Sequence, residues 1–175
     1  MWVDPWIDLL LLLVLAVCVL TDLRSRRIYN AVVLPSLVLA FVIHTMTAGR
    51  AGLTESLLGF AAGLGILLIP YLMGGMGAGD VKLLALVGAL KGVSFVLAAS
   101  VYMAIFGGAI ALAIVLFKGG LRNRIRFVGY AFTCLRFRML PRWEDGTWTS
   151  GSYPYGVAIA GGALICMWLE GWGPG

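Results

Sequence analysis

The chain is 175 residues long, 61% hydrophobic and only 12% charged, with a formal net charge of +5. A soluble globular domain carries about 25% charged residues, and one of this size has too little interior to hide so much apolar surface. The composition excludes an ordinary water-soluble domain and predicts an all-α, polytopic membrane protein, a single membrane-embedded domain over 1–175.

The N-terminus carries Asp4 and Asp8 and has no lysine or arginine before Arg24. A secretory signal peptide opens with basic residues, so the apolar run over 6–22 reads as a first membrane span that stays in the protein. A helix needs about 20 mostly apolar residues to cross the hydrocarbon. On that measure further spans follow at 30–47, 54–73, 80–92, 93–117 and 153–170. His44, the only histidine, lies in the second and reads as a packed or outer-edge residue. The fourth is short: at 1.5 Å per residue it covers only about 20 Å, which suffices if it begins inside the membrane.

Charge sets the orientation. With six crossings and both termini outside, the inner segments are 23–29, 74–82 and 118–152. They hold eleven of the thirteen basic residues, leaving only Arg50 and Lys91 outside. That asymmetry follows the positive-inside rule, and removing the fourth crossing would reverse it for the basic 118–142 stretch. Trp2, Trp6, Trp168 and Trp172 fall at the outer interface, and Trp143 and Trp148 at the inner one, as expected of aromatic belts.

Within the long inner segment, Leu121, Ile125, Val128, Phe132, Leu135 and Met139 recur at alternating spacings of four and three, one stripe of a helix. Arginines flank the stripe. This predicts an amphipathic interfacial helix around 121–139, lying on the bilayer with anionic lipid headgroups as its partners rather than nucleic acid. Cys18, Cys134 and Cys166 share no metal-ligand spacing, so neither a zinc site nor a disulfide framework is expected, and no cofactor is.

Two carboxylates stand out. Asp22 ends the first span in VLTDLRSRRIYN, and Asp80 opens the fourth in GGMGAGDVKLLALVGALKG. They are the only acidic residues at inner span ends. Asp80 alone could be a helix N-cap. Asp22 faces the unfavourable end of its helix dipole, and pairing with Arg24, Arg26 or Arg27 is its structural explanation. Ionisable residues in membrane segments are functional candidates by default. Two carboxylates brought together supply a base and an acid: one draws a proton from water attacking a peptide carbonyl, the other protonates the oxygen or the departing amine. The dipoles favour Asp80 as the anion and Asp22 as the acid. Of the glycines before Asp80, Gly74 and Gly75 read as a tight turn between helices, whereas Gly77 and Gly79 allow non-helical backbone at membrane depth and close approach of an extended peptide.

These residues also carry a resemblance. GMGAGDVKL resembles the GxGD signature of type IV prepilin peptidases, which are membrane aspartic proteases. TDLRSRRIYN resembles the family segment holding the first catalytic aspartate, and YPYGVAIAGGAL the family's Pro-Tyr/Phe-Gly opening of the last helix. The resemblance implies that Asp22 and Asp80 are the catalytic pair, Gly77 and Gly79 the active-site loop, and Lys82 and Asn30 supporting positions. It implies no metal, and cleavage of a short basic leader from prepilins or pseudopilins, after a glycine, at the cytoplasmic face of the bacterial inner membrane. Tyr29 stands where the family often has proline. Larger relatives carry paired Cys-x-x-Cys motifs and methylate the new N-terminus; this chain has no such motif, so the expectation is a peptidase without methylation, similar to the short form serving tight-adherence (Flp-type) pili. Two alternatives use the same residues differently: a proton-coupled transporter with the aspartates as a relay, and a structural component of an assembly platform.

Overall fold

The computed structural model describes residues 5–25, 28–73, 76–118 and 155–172. All of its regular structure is helical: α1 (Pro5–Ser25), α2 (Asn30–Leu72), α3 (Ala78–Lys118) and α4 (Tyr155–Trp172). Three helices are long and apolar enough to cross a membrane, Pro5–Ser25, Asn30–Leu72 and Ala78–Ile110, with mean hydropathies of 2.4, 2.0 and 2.0. Tyr155–Leu169 is a shorter apolar helix. Most of the loop 118–152, including the expected interfacial helix and its arginines, lies outside the described residues. The chain forms two compact units, Met1–Gly107 with Pro154–Gly175, and Gly108–Tyr153. The second is described only by its helical residues up to Lys118.

The two longest helices are each broken at a glycine. Gly49 (φ 60°, ψ −137°) interrupts α2 and Gly92 (φ 84°, ψ 179°) interrupts α3. Positive φ is strained for residues with a Cβ, so glycine suits both positions. At Gly49 the chain turns back on itself: a Cβ on Gly52 would strike the backbone carbonyl of His44, eight positions earlier, whereas eight residues of continuous helix span about 12 Å. These breaks fall where the sequence reading ends its second and fourth spans. The break at Gly92 interrupts the ladder that would satisfy the carbonyl of Leu90, and His44 Nε2 donates to that oxygen at 3.0 Å. The histidine therefore acts as a helix-end cap.

The first half of α3 is the centre of the unit. Leu83, Leu84, Ala85, Leu86, Val87, Ala89 and Leu90 are all 1% exposed or less. A helix apolar on every face is one covered on every face, which accounts for a short segment surrounded by longer ones. Around it α1 buries Ile7, Leu11, Val14, Leu15 and Cys18 on one stripe, while Leu9, Leu13 and Leu20 remain more than a third exposed. That outer surface is apolar because its solvent is lipid.

The second half of α2 packs antiparallel on the first half of α3 through small residues. Ser56 Oγ donates to the carbonyl of Ala89 at 2.6 Å. Gly59 faces Gly88, and Gly63 faces the backbone of Leu84 and Ala85, so closely that a Cβ at any of them would strike main-chain atoms. In lipid no hydrophobic force draws helices together, and small-xxx-small patterns such as Gly59–Gly63 let backbones approach for dispersion contact. At one end of the unit Lys91 Nζ meets Asp8 Oδ1 at 2.9 Å, with the lysine 5.0 Å from the Phe95 ring centre. Since Asp8 begins α1 and Lys91 ends the first half of α3, those helices run antiparallel. Asp22 and Asp80 consequently share the opposite end.

Candidate active site

Asp22 sits in the last turn of α1, and Asp80 in the first turn of α3. Both are 8% exposed. They line one pocket of about 400 Å³, together with Ile28, Tyr29, Asn30, Gly77 and Gly79. Buried carboxylates need hydrogen-bond partners, and each has one from a backbone N–H.

Asp80 Oδ2 accepts from the N–H of Gly77 at 3.3 Å, and the N–H of Asp80 donates to the carbonyl of Gly77 at 3.2 Å. This is a different role from an N-cap, which receives the N–H groups of later residues. Asp80 lies inside the first turn and reaches back to the residue before the helix, as the third residue of a capping box does. The carboxylate remains at the pocket wall. Gly79 fits against α2's entry: a Cβ there would lie 2.9 Å from Cβ of Ile28. At Gly77 an added Cβ would lie 3.1 Å from Asp80 Oδ2, a tight approach that requires the carboxylate to give by a few tenths of an ångström.

Asp22 Oδ2 accepts from the N–H of Gly156 at 3.2 Å. Gly156 is in the first turn of α4, where backbone N–H groups lack helical partners and the dipole favours an anion. The negative end of α1 thus presents its carboxylate to the positive end of α4, offsetting the end-of-helix penalty that the sequence assigns to Asp22. A Cβ at Gly156 would lie 2.8 Å from Asp22 Oδ2. Arg24 makes no ion pair with Asp22; Arg26 and Arg27 lie outside the described residues.

Of the supporting positions, Asn30 lines the pocket and Lys82 does not. Lys82 Nζ donates to Asn30 Oδ1 at 3.0 Å, joining the starts of α2 and α3 at the pocket rim. Gly74 and Gly75 lie outside the described residues. Three neighbours were not singled out from sequence as site residues: Ile28 and Tyr29 on the pocket wall, and Gly156 behind Asp22. The signals were present in the apolar-aromatic pair before Asn30 and the Pro-Tyr-Gly opening of α4. Among the described residues no group of three or more His, Cys, Asp or Glu side chains gathers in metal-binding fashion.

A family model described as the type IV leader peptidase family matches residues 9–112, more than half of the chain. Comparison with curated proteins and with solved structures returned no match.

Proposed function

The chain belongs to the type IV leader peptidase family, and on that premise we propose that it is a membrane-embedded aspartic endopeptidase whose catalytic pair is Asp22 and Asp80. The observation that carries this reading is the single pocket which both carboxylates line, although they stand 58 positions apart in the sequence. In the proposed reaction one carboxylate takes a proton from water as its oxygen attacks the scissile carbonyl carbon. The other gives its proton to the carbonyl oxygen; the tetrahedral species then collapses as the first, now protonated, carboxyl protonates the departing amine and the second carboxylate takes back the hydroxyl proton. The pair titrates as a unit.

The substrates of this reading are prepilins and pseudopilins, tight-adherence pilins first among them, cut after a glycine that ends a short basic leader. In this reading the chain crosses six times with both termini outside, which would bring the pocket toward the cytoplasmic face of the bacterial inner membrane; the eleven-to-two distribution of basic residues in the sequence supports that orientation. An extended leader would lie against Gly77 and Gly79, where the absent side chains leave its backbone room. Asn30, tied to Lys82, would close the rim.

Co-expression of the chain with candidate prepilins tests the function. The expected result is a precursor shortened to a new N-terminus directly after glycine. Unshortened precursor across several pilins would return the chain to the transporter or platform reading. A relay would need ionisable partners through the bilayer; toward the other end, among the described residues, Asp8 and Lys91 are bonded to each other and Glu55 lies on the wall of a separate cavity.

A further inference from the structure

A second cavity, about 530 Å³, opens at the end of the unit away from the two aspartates, between residues 54–58 of α2 and 93–97 of α3. Its walls are Thr54, Glu55 and Leu58 on one side and Val93, Ser94 and Leu97 on the other. Both walls begin just after a break, at Gly49 and Gly92, so both helices run away from this end. On each, a polar residue near the break is followed three positions later by a leucine: Glu55 by Leu58, Ser94 by Leu97. Three residues advance about 4.5 Å along a helix. Past Val93, the groove thus passes from Glu55 and Ser94 to Leu58 and Leu97 in the same direction on both walls, and these leucines are 62% and 49% exposed.

In a bilayer that gradient matches a phospholipid, headgroup toward the breaks and acyl chain along the leucines. The charge selects the headgroup. Glu55 is exposed and makes no ion pair among the described residues. Gly92 keeps the space beside it open, since a Cβ there would approach Glu55 Oε1 to 3.3 Å. The carboxylate repels an anionic headgroup and accepts N–H donors from an ammonium. A primary ammonium offers those donors; a quaternary one has none. We propose that this groove binds a phospholipid with a primary-ammonium headgroup. Glu55 receives the ammonium, the Ser94 hydroxyl donates to the phosphate, and Leu58 and Leu97 hold the acyl chain. The site is independent of the peptidase reading.

The test uses the full chain purified in detergent and offered an equimolar mixture of phosphatidylethanolamine, phosphatidylcholine and phosphatidylglycerol with matched acyl chains. Retained lipid is counted by native mass spectrometry. One exposed charge pair is worth up to about 1 kcal/mol, so phosphatidylethanolamine should be retained about three- to five-fold over each of the others. Glu55→Gln should bring the ratio to about one, while Glu55→Asp should keep part of the preference. Equal retention of the three lipids by the unaltered chain, or a preference that survives Glu55→Gln, overturns the proposal.

Discussion

The N–H of Gly156 donates to Asp22 Oδ2 across 134 positions of chain, so one of the two buried carboxylates is held by a helix that begins far from it in sequence. The bond fixes the carboxylate's direction, and the glycine's missing side chain leaves room for it. Gly156→Ala would place a Cβ 2.8 Å from that oxygen and push the carboxylate from its place. The expected outcome is a fall in kcat of about 10- to 100-fold with KM little changed, because a displacement near 1 Å can cost about 10²-fold. Steady-state cleavage of a prepilin by purified protein measures it.

Gly79→Ala is expected to abolish most activity while the chain still assembles in the membrane. Its Cβ would lie 2.9 Å from that of Ile28, a main-chain-attached atom that cannot rotate away, so the loop before Asp80 must shift. Gly65→Ala, with nothing within 4 Å, should leave activity unchanged. Cleavage assays on the two variants side by side separate a local obstruction from a general intolerance of alanine.

Gly59→Ala and Gly88→Ala act on stability. Each would press a methyl into the facing glycine's carbonyl, and overpacking of this kind costs about 1–3 kcal/mol. Thermal unfolding in detergent should show a Tm several degrees lower for either variant. The double variant should fall short of the sum, since both changes force the same two helices apart.

The Lys82–Asn30 bond predicts a modest coupling. Both side chains are exposed, and exposed polar pairs contribute about 0.2–1 kcal/mol. Lys82→Met and Asn30→Ala should each lower kcat/KM by a few-fold, and the double variant should be little worse than either. A double-mutant cycle on cleavage rates reads this directly.

Much of the site was legible in the sequence because a charge in an apolar run has few cheap explanations. Asp22 and Asp80 stand out for that reason, as do the glycines that let the chain leave its helix beside Asp80. Their meeting in one pocket followed from the expectation of alternating crossings that brings both span ends to one side. Gly156 was visible only as part of a motif, because a hydrogen bond between residues 22 and 156 leaves no local periodicity. The role of Asp80 was half legible: its place at a helix start is local, but whether it caps forward or reaches back depends on where the helix begins. The Gly59–Gly88 contact was hidden by hydropathy, which counts glycine as neutral and takes no account of how closely backbones approach. The buried stripe of α1 was equally hidden, since its lipid-facing residues are as apolar as its buried ones.

The central claim is that Asp22 and Asp80 act as one unit, and it is tested most directly by cleavage rates of purified Asp22→Asn, Asp80→Asn and the double variant on one prepilin. Groups that share a catalytic step are grossly non-additive. The account predicts that each single variant loses at least about 10³-fold in kcat and that the double variant is no slower than the singles. Full cleavage by either single variant, or losses that multiply in the double, would contradict it.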